Sequence, residues 1–576
     1  MTICILFSHL HSRTSSNTVI TYCTTGVLLR QLQGGRPDGI THIIVDEIHE
    51  RSVLSDFLLL LLKRLLPQYP ALKVILMSAT IDQQLFSEYF GGIPSLSVEG
   101  RLYPVTEKYL EDVVFDTRYR PSNLVQPITD ASSPLSRSAV LTQWCERYQD
   151  YGLIPHLLRY LFTQQQPWRG GVILVFLSGS AEIRSVGRLV EEEFAGDSFK
   201  VEVIACHGSL STQEQKRVFE RTGASVRRVV LSTNIAETSL TIPDCTVVID
   251  TGREKRVVFN PDSNITEMKE VWVSLASAEQ RKGRAGRVQK GTVYRLYTRD
   301  KCKELEAFTP PEMQRSALDA LCLQTLRMGL GNPQDVLAAC ISPPAAESVE
   351  RALQTLQEIQ AVRVETVNSR GKPASPVFNL TPLGNHIADL PLDCRMAKML
   401  IFGCLLRCVD AVVTMAAFLS QRTVFRAPLD LRDEMTARKR SFAHRLSDHL
   451  TLLRVYDGWK NAKNRREFCR TNFINYESML TVGTLRKQFI EELITIHFLP
   501  RTYREGDPEW NQYGSEENVL KGAITAGLYA NVVKVEKTRI RFHKVGNDSN
   551  DIVNIIHNSI FIQFFIHHVD SGRRCI

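Results

Sequence analysis

The chain has 576 residues, 43% of them hydrophobic, which is length and apolar content for roughly three to five domains with cores of their own. Its formal net charge of +8 is modest for the length and has the sign of a nucleic-acid binder. Its 13 cysteines include no CxxC pair and fit a reducing compartment, cytoplasmic or nuclear; no apolar run approaches the roughly 18 residues of a membrane span, and the MTICILF start lacks a basic segment and a cleavage site, so neither membrane insertion nor secretion is expected.

Residues 1–17 carry no recognisable pattern. From 18 to about 105, apolar strands alternate with helical patterns. The β-branched run Ile43 to Val45 predicts a buried parallel strand, and it ends in Asp46-Glu47-Ile48-His49. Two readings stand for those acids. One is a helix N-cap with a first-turn acid; the other is a carboxylate pair where parallel sheets bind ligands, Asp46 to hold Mg²⁺ and Glu47 to activate a water. An apolar helix is predicted over Asp56 to Leu66, and a second strand, Val74 to Met77, leads into Ser78-Ala79-Thr80. Residues 112–150 turn polar, with Pro121, Pro127 and Pro134 among serines, and predict an exposed insertion.

A second strand-and-helix series opens near 154 with Val172 to Phe176 and passes through His207-Gly208-Ser209. Its strand Val229 to Leu231 runs into STNIAETSLTIP at 232–243, and the strand Val247 to Asp250 turns at Thr251-Gly252-Arg253. Repetition of this kind predicts a second parallel sheet with right-handed crossovers. Downstream of that turn, Arg256 to Phe259 and Met268 to Val273 flank Pro261-Asp262-Ser263-Asn264 and predict a β-hairpin. The string EQRKGRAGR at 279–287 sets Arg281, Arg284 and Arg287 on one helical face, which reads either as a solvated basic face or, with Gly283 and Gly286 between them, as a surface for close approach to phosphates. Cys404 and Cys408, one turn apart in an apolar stretch, read as buried thiols or as a metal site. Lys460, Lys463, Arg465 and Arg466 read as a solvated helix face or as a nucleic-acid contact.

DEIH, SAT, STNIAETSLTIP and QRKGRAGR, in this order, resemble the DEAH-box family of RNA helicases in superfamily 2, and the Ile of DEIH with TYCTTGVLLR at 21–30 leans toward its RNA helicase A-like branch. PEMQR at 311–315, LTPLGNHIADLPLD at 380–393, SDHLTLLRVYDGW at 447–459 and KGAITAGLYANV at 521–532 extend the resemblance over roughly 18–540. It implies an α/β fold of two RecA-like parallel-sheet domains, the first partial, followed by winged-helix, helical-bundle (ratchet) and partial OB-fold domains. The expected boundaries are 1–17 for an atypical start, 18–111 for the first RecA-like domain, 112–153 for the insertion, 154–309 for the second, 310–385 for the winged helix, 386–500 for the bundle and 501–576 for the OB-fold.

The resemblance also implies ATP or another NTP with Mg²⁺ as cofactors, and 3′-to-5′ movement on single-stranded or structured RNA, with DNA and an activator protein as further candidate partners. Asp46 and Glu47 would serve the metal and the water, and His49 would tie the nucleotide to the second sheet. Ser78 and Thr80 would relay the nucleotide state. Gln280 would orient the water, with Arg284 and Arg287 as arginine fingers and Arg281 as their support. Arg253 either stacks on the nucleotide base or is a surface arginine. Thr24, Thr25, Gly26, Thr233 and Asn234 either contact the RNA backbone or cap helices. The predicted hairpin would be a strand-separating wedge.

One part of the family pattern is not found: no glycine-rich phosphate loop with Lys and Ser/Thr occurs, since Gly371-Lys372 runs into Pro373 and Lys290-Gly291-Thr292 has the order reversed. The loop lies upstream of TTGVLLR in the family, so a chain that starts too late to include it is expected, with a catalytically inactive RNA-binding scaffold as the alternative to a working motor.

Overall fold

The computed structural model describes residues 2–6, 18–32, 39–79, 83–98, 100, 103–120, 134–147, 150–163, 171–207, 218, 226–237, 242, 244–367, 375–421, 423–426, 431–444, 447–529, 533–536 and 541–544. Its centre is a six-stranded, all-parallel sheet in the order Val105–Lys108, Gly291–Arg295, Cys245–Asp250, Val172–Phe176, Val226–Ser232, Lys200–Cys206. The two central strands, CTVVID and VILVF, are buried at every residue, as continuous apolar runs covered on both faces require. This is the RecA-like sheet expected for 154–309, with two corrections at its edge.

The strand Val105–Lys108, placed with the first domain by sequence, pairs with Gly291–Tyr294 and completes the second sheet. Residues 112–153 are likewise not an exposed insertion throughout. Helices Leu110–Thr117 and Pro134–Arg147 pack Leu110, Val113, Leu141 and Trp144 into the core of the second sheet. Apolar residues at helical spacing outweigh the serines around them; residues 121–133 lie outside the described part.

In the first lobe, His42–Val45 pairs in parallel with Lys73–Leu76, and Thr2–Leu6 pairs with Thr18–Cys23. The DEIH strand is buried on one face only: Ile43 and Val45 are covered while Ile44 is 58% exposed. The covering layer is helix Val53–Leu65, started by Ser52, whose hydroxyl accepts from the Ser55 N–H, and fully apolar from Phe57 to Leu62. Its core continues without a break into the segment that follows, where Met313, Leu323, Leu353 and Ile387 join Phe57 and Leu60.

Helices Asp319–Arg327, Pro333–Ala338 and Ala346–Glu358 precede an antiparallel pair, Val362–Val367 with Ser375–Leu380, which are the elements a winged helix needs. The bundle runs from Cys394–Leu405 through Val409–Leu419 and Asp448–Asn461 to the long helix Tyr476–Thr495. It does not stop near 500. Helix Glu517–Leu528 closes on Cys394–Leu405, with Gly527 so near Arg395 and Met399 that a Cβ there would lie 2.6 Å from each, and Ala523 and Ile524 inside the bundle core. Of the expected OB-fold, one antiparallel pair, Val533–Glu536 with Arg541–Lys544, is described. Cys404 and Cys408 are buried free thiols.

Candidate functional site

Asp46 and Glu47 leave the carboxyl end of their strand in an unusual backbone. Glu47 has φ 54° and Arg51 φ 49°, two non-glycine residues in the left-handed region with one short 3-10 turn, Ile48–Glu50, between them. Such a conformation costs on the order of 1 kcal/mol or more per residue and persists only where its surroundings enforce it. They do so here through Ile48, fully buried with its N–H on the Met77 carbonyl, and through Arg51, which grips the buried Asp56 with Nε–Oδ1 and Nη2–Oδ2 contacts of 2.9 Å each. The Glu312 N–H donates to the Arg51 carbonyl at 3.0 Å, and Glu312 Oε2 accepts from the Val53 N–H at 3.0 Å, so PEMQR fastens this loop from outside.

His49 is the hub of the loop. Its Nδ1 lies 3.3 Å from Glu47 Oε2 and 3.3 Å from Ser78 Oγ, with its side chain 8% exposed. Its Nε2 is buried without a hydrogen-bond partner among the described residues. The link between DEIH and SAT therefore runs through Ser78; Thr80 lies outside the described residues.

Across from this loop, helix Leu275–Gly283 is capped by Ser274, whose hydroxyl accepts from the Ser277 N–H. Arg281 lies wholly inside the protein, with Nε 3.1 Å from Glu237 Oε2 and Nη1 2.8 Å from Asp250 Oδ1. Burial works against its charge, yet Asp250 and Glu237 outweigh that and hold its proton more tightly than usual. Ser277 Oγ donates to Glu237 Oε1, and Tyr297 donates its hydroxyl to Asp250 Oδ2 at 3.1 Å. Arg284 hydrogen-bonds the Glu237 carbonyl oxygen through Nη2. Burial, reinforced by Arg287, pushes the Arg284 guanidinium down to about 10, while Glu237 and Glu47 act in the opposite direction.

A cavity of about 550 Å³ opens between the two sides, lined by His49, Glu50, Asn234, Glu237, Lys255 and Gln280 among others. It brings together His49, Asn234 and Gln280 from three separate motifs. Thr24, Thr25 and Gly26 are elsewhere: Gly26 lines a second cavity of about 780 Å³ against His386, Gln324 and Glu491. Neither Thr24 nor Thr233 caps its helix through the side chain, so the capping reading of these threonines is not realised.

Arg253 departs from the base-stacking reading. Its guanidinium stacks 3.5 Å over Trp272, its partner directly across the hairpin, and its Nη2 donates to the Cys145 and Glu146 carbonyls. The hairpin itself, Arg253–Asn260 with Ile265–Trp272, forms as predicted. Sequence reasoning gave no role to Glu237 or Asp250. The signals were present: an acid inside STNIAETS, and one closing an otherwise apolar strand.

Residues 154–289 match the helicase conserved C-terminal domain, and residues 393–452 match the helicase associated domain (HA2), ratchet-like. The chain is 36% identical to human ATP-dependent RNA helicase DHX29 over 92% of its own length and 42% of that protein. The chain belongs to the DEAH-box family of superfamily 2 helicases. Other members align similarly: DExH-box ATP-dependent RNA helicase DExH3 of Arabidopsis thaliana at 36%, covering 90% of the chain and 45% of that protein, and bovine ATP-dependent DNA/RNA helicase DHX36 at 35%, covering 90% and 54%. The chain thus spans about half the length of the curated relatives it matches. Within this DEAH-box chain, Thr233, Asn234, Gln280, Arg284 and Arg287 all fall inside the helicase C-terminal match.

Proposed function

We propose that the chain is the motor region of an ATP-dependent RNA helicase of DEAH type, coupling NTP hydrolysis to 3′-to-5′ movement along RNA and to remodelling of RNA or RNP. The observation that carries this reading is the meeting of His49 with Gln280 and Asn234, from three separate motifs, around one cavity.

The donor set suits a magnesium nucleotide. Asp46 and Glu47 are hard oxygen donors on an exposed strand end, and Mg²⁺ typically takes one or two carboxylates with the rest of its shell from phosphate oxygens and water. Bound Mg²⁺–NTP supplies the phosphoryl group and neutralises charge on it. Asp46 would hold the metal, its carboxylate being oriented by the Glu47 N–H, which donates to Oδ1 at 2.8 Å. Glu47 takes up the proton of the attacking water, held toward it by the His49 ring. Gln280 orients that water from the opposite side. Arg284 and Arg287 bring positive charge to the transferring group, a contribution of about 10³-fold or more in related phosphoryl transfer. Thr233 and Asn234 contact the RNA backbone beside the same cavity, and the hairpin acts as the wedge. Its tip is steadied by the Asn264 amide on Thr355, 3.4 Å away.

The test is RNA-stimulated ATP hydrolysis by the full chain and by Glu47→Gln. Turnover lost in the variant, with RNA binding kept, supports the motor. RNA binding without turnover in the unaltered chain leaves the scaffold reading.

A further inference from the structure

The charge of this protein is unevenly distributed. Residues 432–471 hold 11 lysines and arginines against 5 aspartates and glutamates, a net +6 of the chain's +8. Three helices carry nine of the eleven cations and all five acids: Arg432–Phe442, Asp448–Asn461 and Arg465–Thr471. They converge on one spot. Phe442 and Phe468 meet edge to face at 5.9 Å, both against Gly458, and Arg454 donates to the Ala443 carbonyl at the end of the first helix. Each of the three helices carries exposed cations: Arg438, Lys439 and Arg440 toward the end of the first, Arg454 on the second, and Arg465 and Arg466 on the third.

None of these six cations pairs with a carboxylate among the described residues, whereas neighbouring Lys460 and Arg470 are neutralised by Glu505 and Glu467. Two of the six are also held in place. The Arg465 guanidinium lies 4.7 Å from the ring of the buried Trp459, and that of Arg466 lies 5.1 Å from the Tyr476 ring. An arginine stacked on a ring keeps its N–H edge outward in a fixed orientation, which lowers the entropy cost of meeting a phosphate. Among the described residues of 432–471, none lines the cleft between the two sheets.

We propose that this face of the helical bundle is a second RNA-binding site, taking the phosphate backbone of a strand outside the motor cleft. That the polyanion is RNA rests on the helicase reading of the cleft. A membrane surface fits less well, because interfacial helices insert apolar side chains and the aromatic residues here lie beneath the cations. Binding of this kind is blind to base sequence and strongly dependent on salt.

The experiment measures affinity by fluorescence anisotropy, over a series of salt concentrations, for two oligouridines: one just long enough to fill the cleft, the other several times longer. Full chains are compared with and without Arg438→Gln, Lys439→Gln, Arg440→Gln, Arg465→Gln and Arg466→Gln together, thermal melting confirming the fold; a version with Arg465→Lys and Arg466→Lys keeps the charge. The expected result is weaker binding of the long strand, with its salt slope reduced by about 0.7 for each phosphate no longer neutralised, no change for the short strand, and for the lysine version a near-normal salt slope with an affinity between the other two. An unchanged slope for the long strand overturns the proposal, as does an equal weakening on both strands. Patch-dependent binding to phosphatidylserine vesicles with an unchanged RNA slope overturns it in favour of a membrane contact. Patch-dependent binding of the long strand, with the short one unbound even by the unaltered chain, supports the patch and defeats the cleft reading.

Discussion

Arg281 shows how a motif can look like one line of chemistry and divide its labour. Of the three arginines in QRKGRAGR, the first never reaches solvent; it clamps Glu237 of the STNIAETS segment to Asp250 at the end of a central strand. Arg281→Ala leaves two buried carboxylates uncompensated and is expected to cost about 3–5 kcal/mol of stability, measured by urea unfolding. Glu237→Gln, which keeps the hydrogen-bonding shape, is expected to cost less. The spacing of the arginines was legible in the sequence, and so was a structural role for Arg281. What was not legible is Arg253: its stacking partner Trp272 lies across a hairpin turn, and only the register of that hairpin brings the two together.

At the scale of elements, helix Asp448–Asn461 buries His449 in its first turn, at 2% exposure. Burial drives its imidazole from 6.5 down to about 4. The folded protein therefore binds fewer protons than the unfolded chain between those values, and stability falls as pH drops through that window. The decrease amounts to about 3 kcal/mol by pH 4. His449→Gln is expected to flatten this dependence between pH 6.5 and 4, as followed by urea midpoints at each pH. Elements with a strong local signature were readable from sequence: the DEIH strand from its β-branched run, and the hairpin from its turn residues. Strand Val105–Lys108 was not assigned to its sheet, because VTEK has one apolar residue and its partner lies far along the chain. Helix Glu517–Leu528 falls in a stretch whose sequence groups it with the β-rich tail, yet its small residues fit it against the bundle.

At the scale of the molecule, the first lobe and the 313–401 region share one core, while the second sheet has cores of its own. Phe57→Ala, deleting a fully buried ring, is expected to cost about 3–5 kcal/mol. Hydrogen exchange checks the coupling: amides of helix Ala346–Glu358 should lose protection, while strands Val172–Phe176 and Cys245–Asp250 keep theirs. Deprotection spread evenly over both sheets contradicts this division.

The same architecture gives the left-handed loop a second meaning. Glu47 and Arg51 are held in unfavourable backbone conformations, and one of the clamps on them is Glu312, which lies on the chain segment leading into the helical half. That half meets the acidic loop through the Glu312 peptide and side chain and through Ser342, whose hydroxyl accepts from Arg51 Nη2 at 2.7 Å. The backbone geometry of the loop is therefore set jointly by its own lobe and by the helical half, at the residue proposed to activate water.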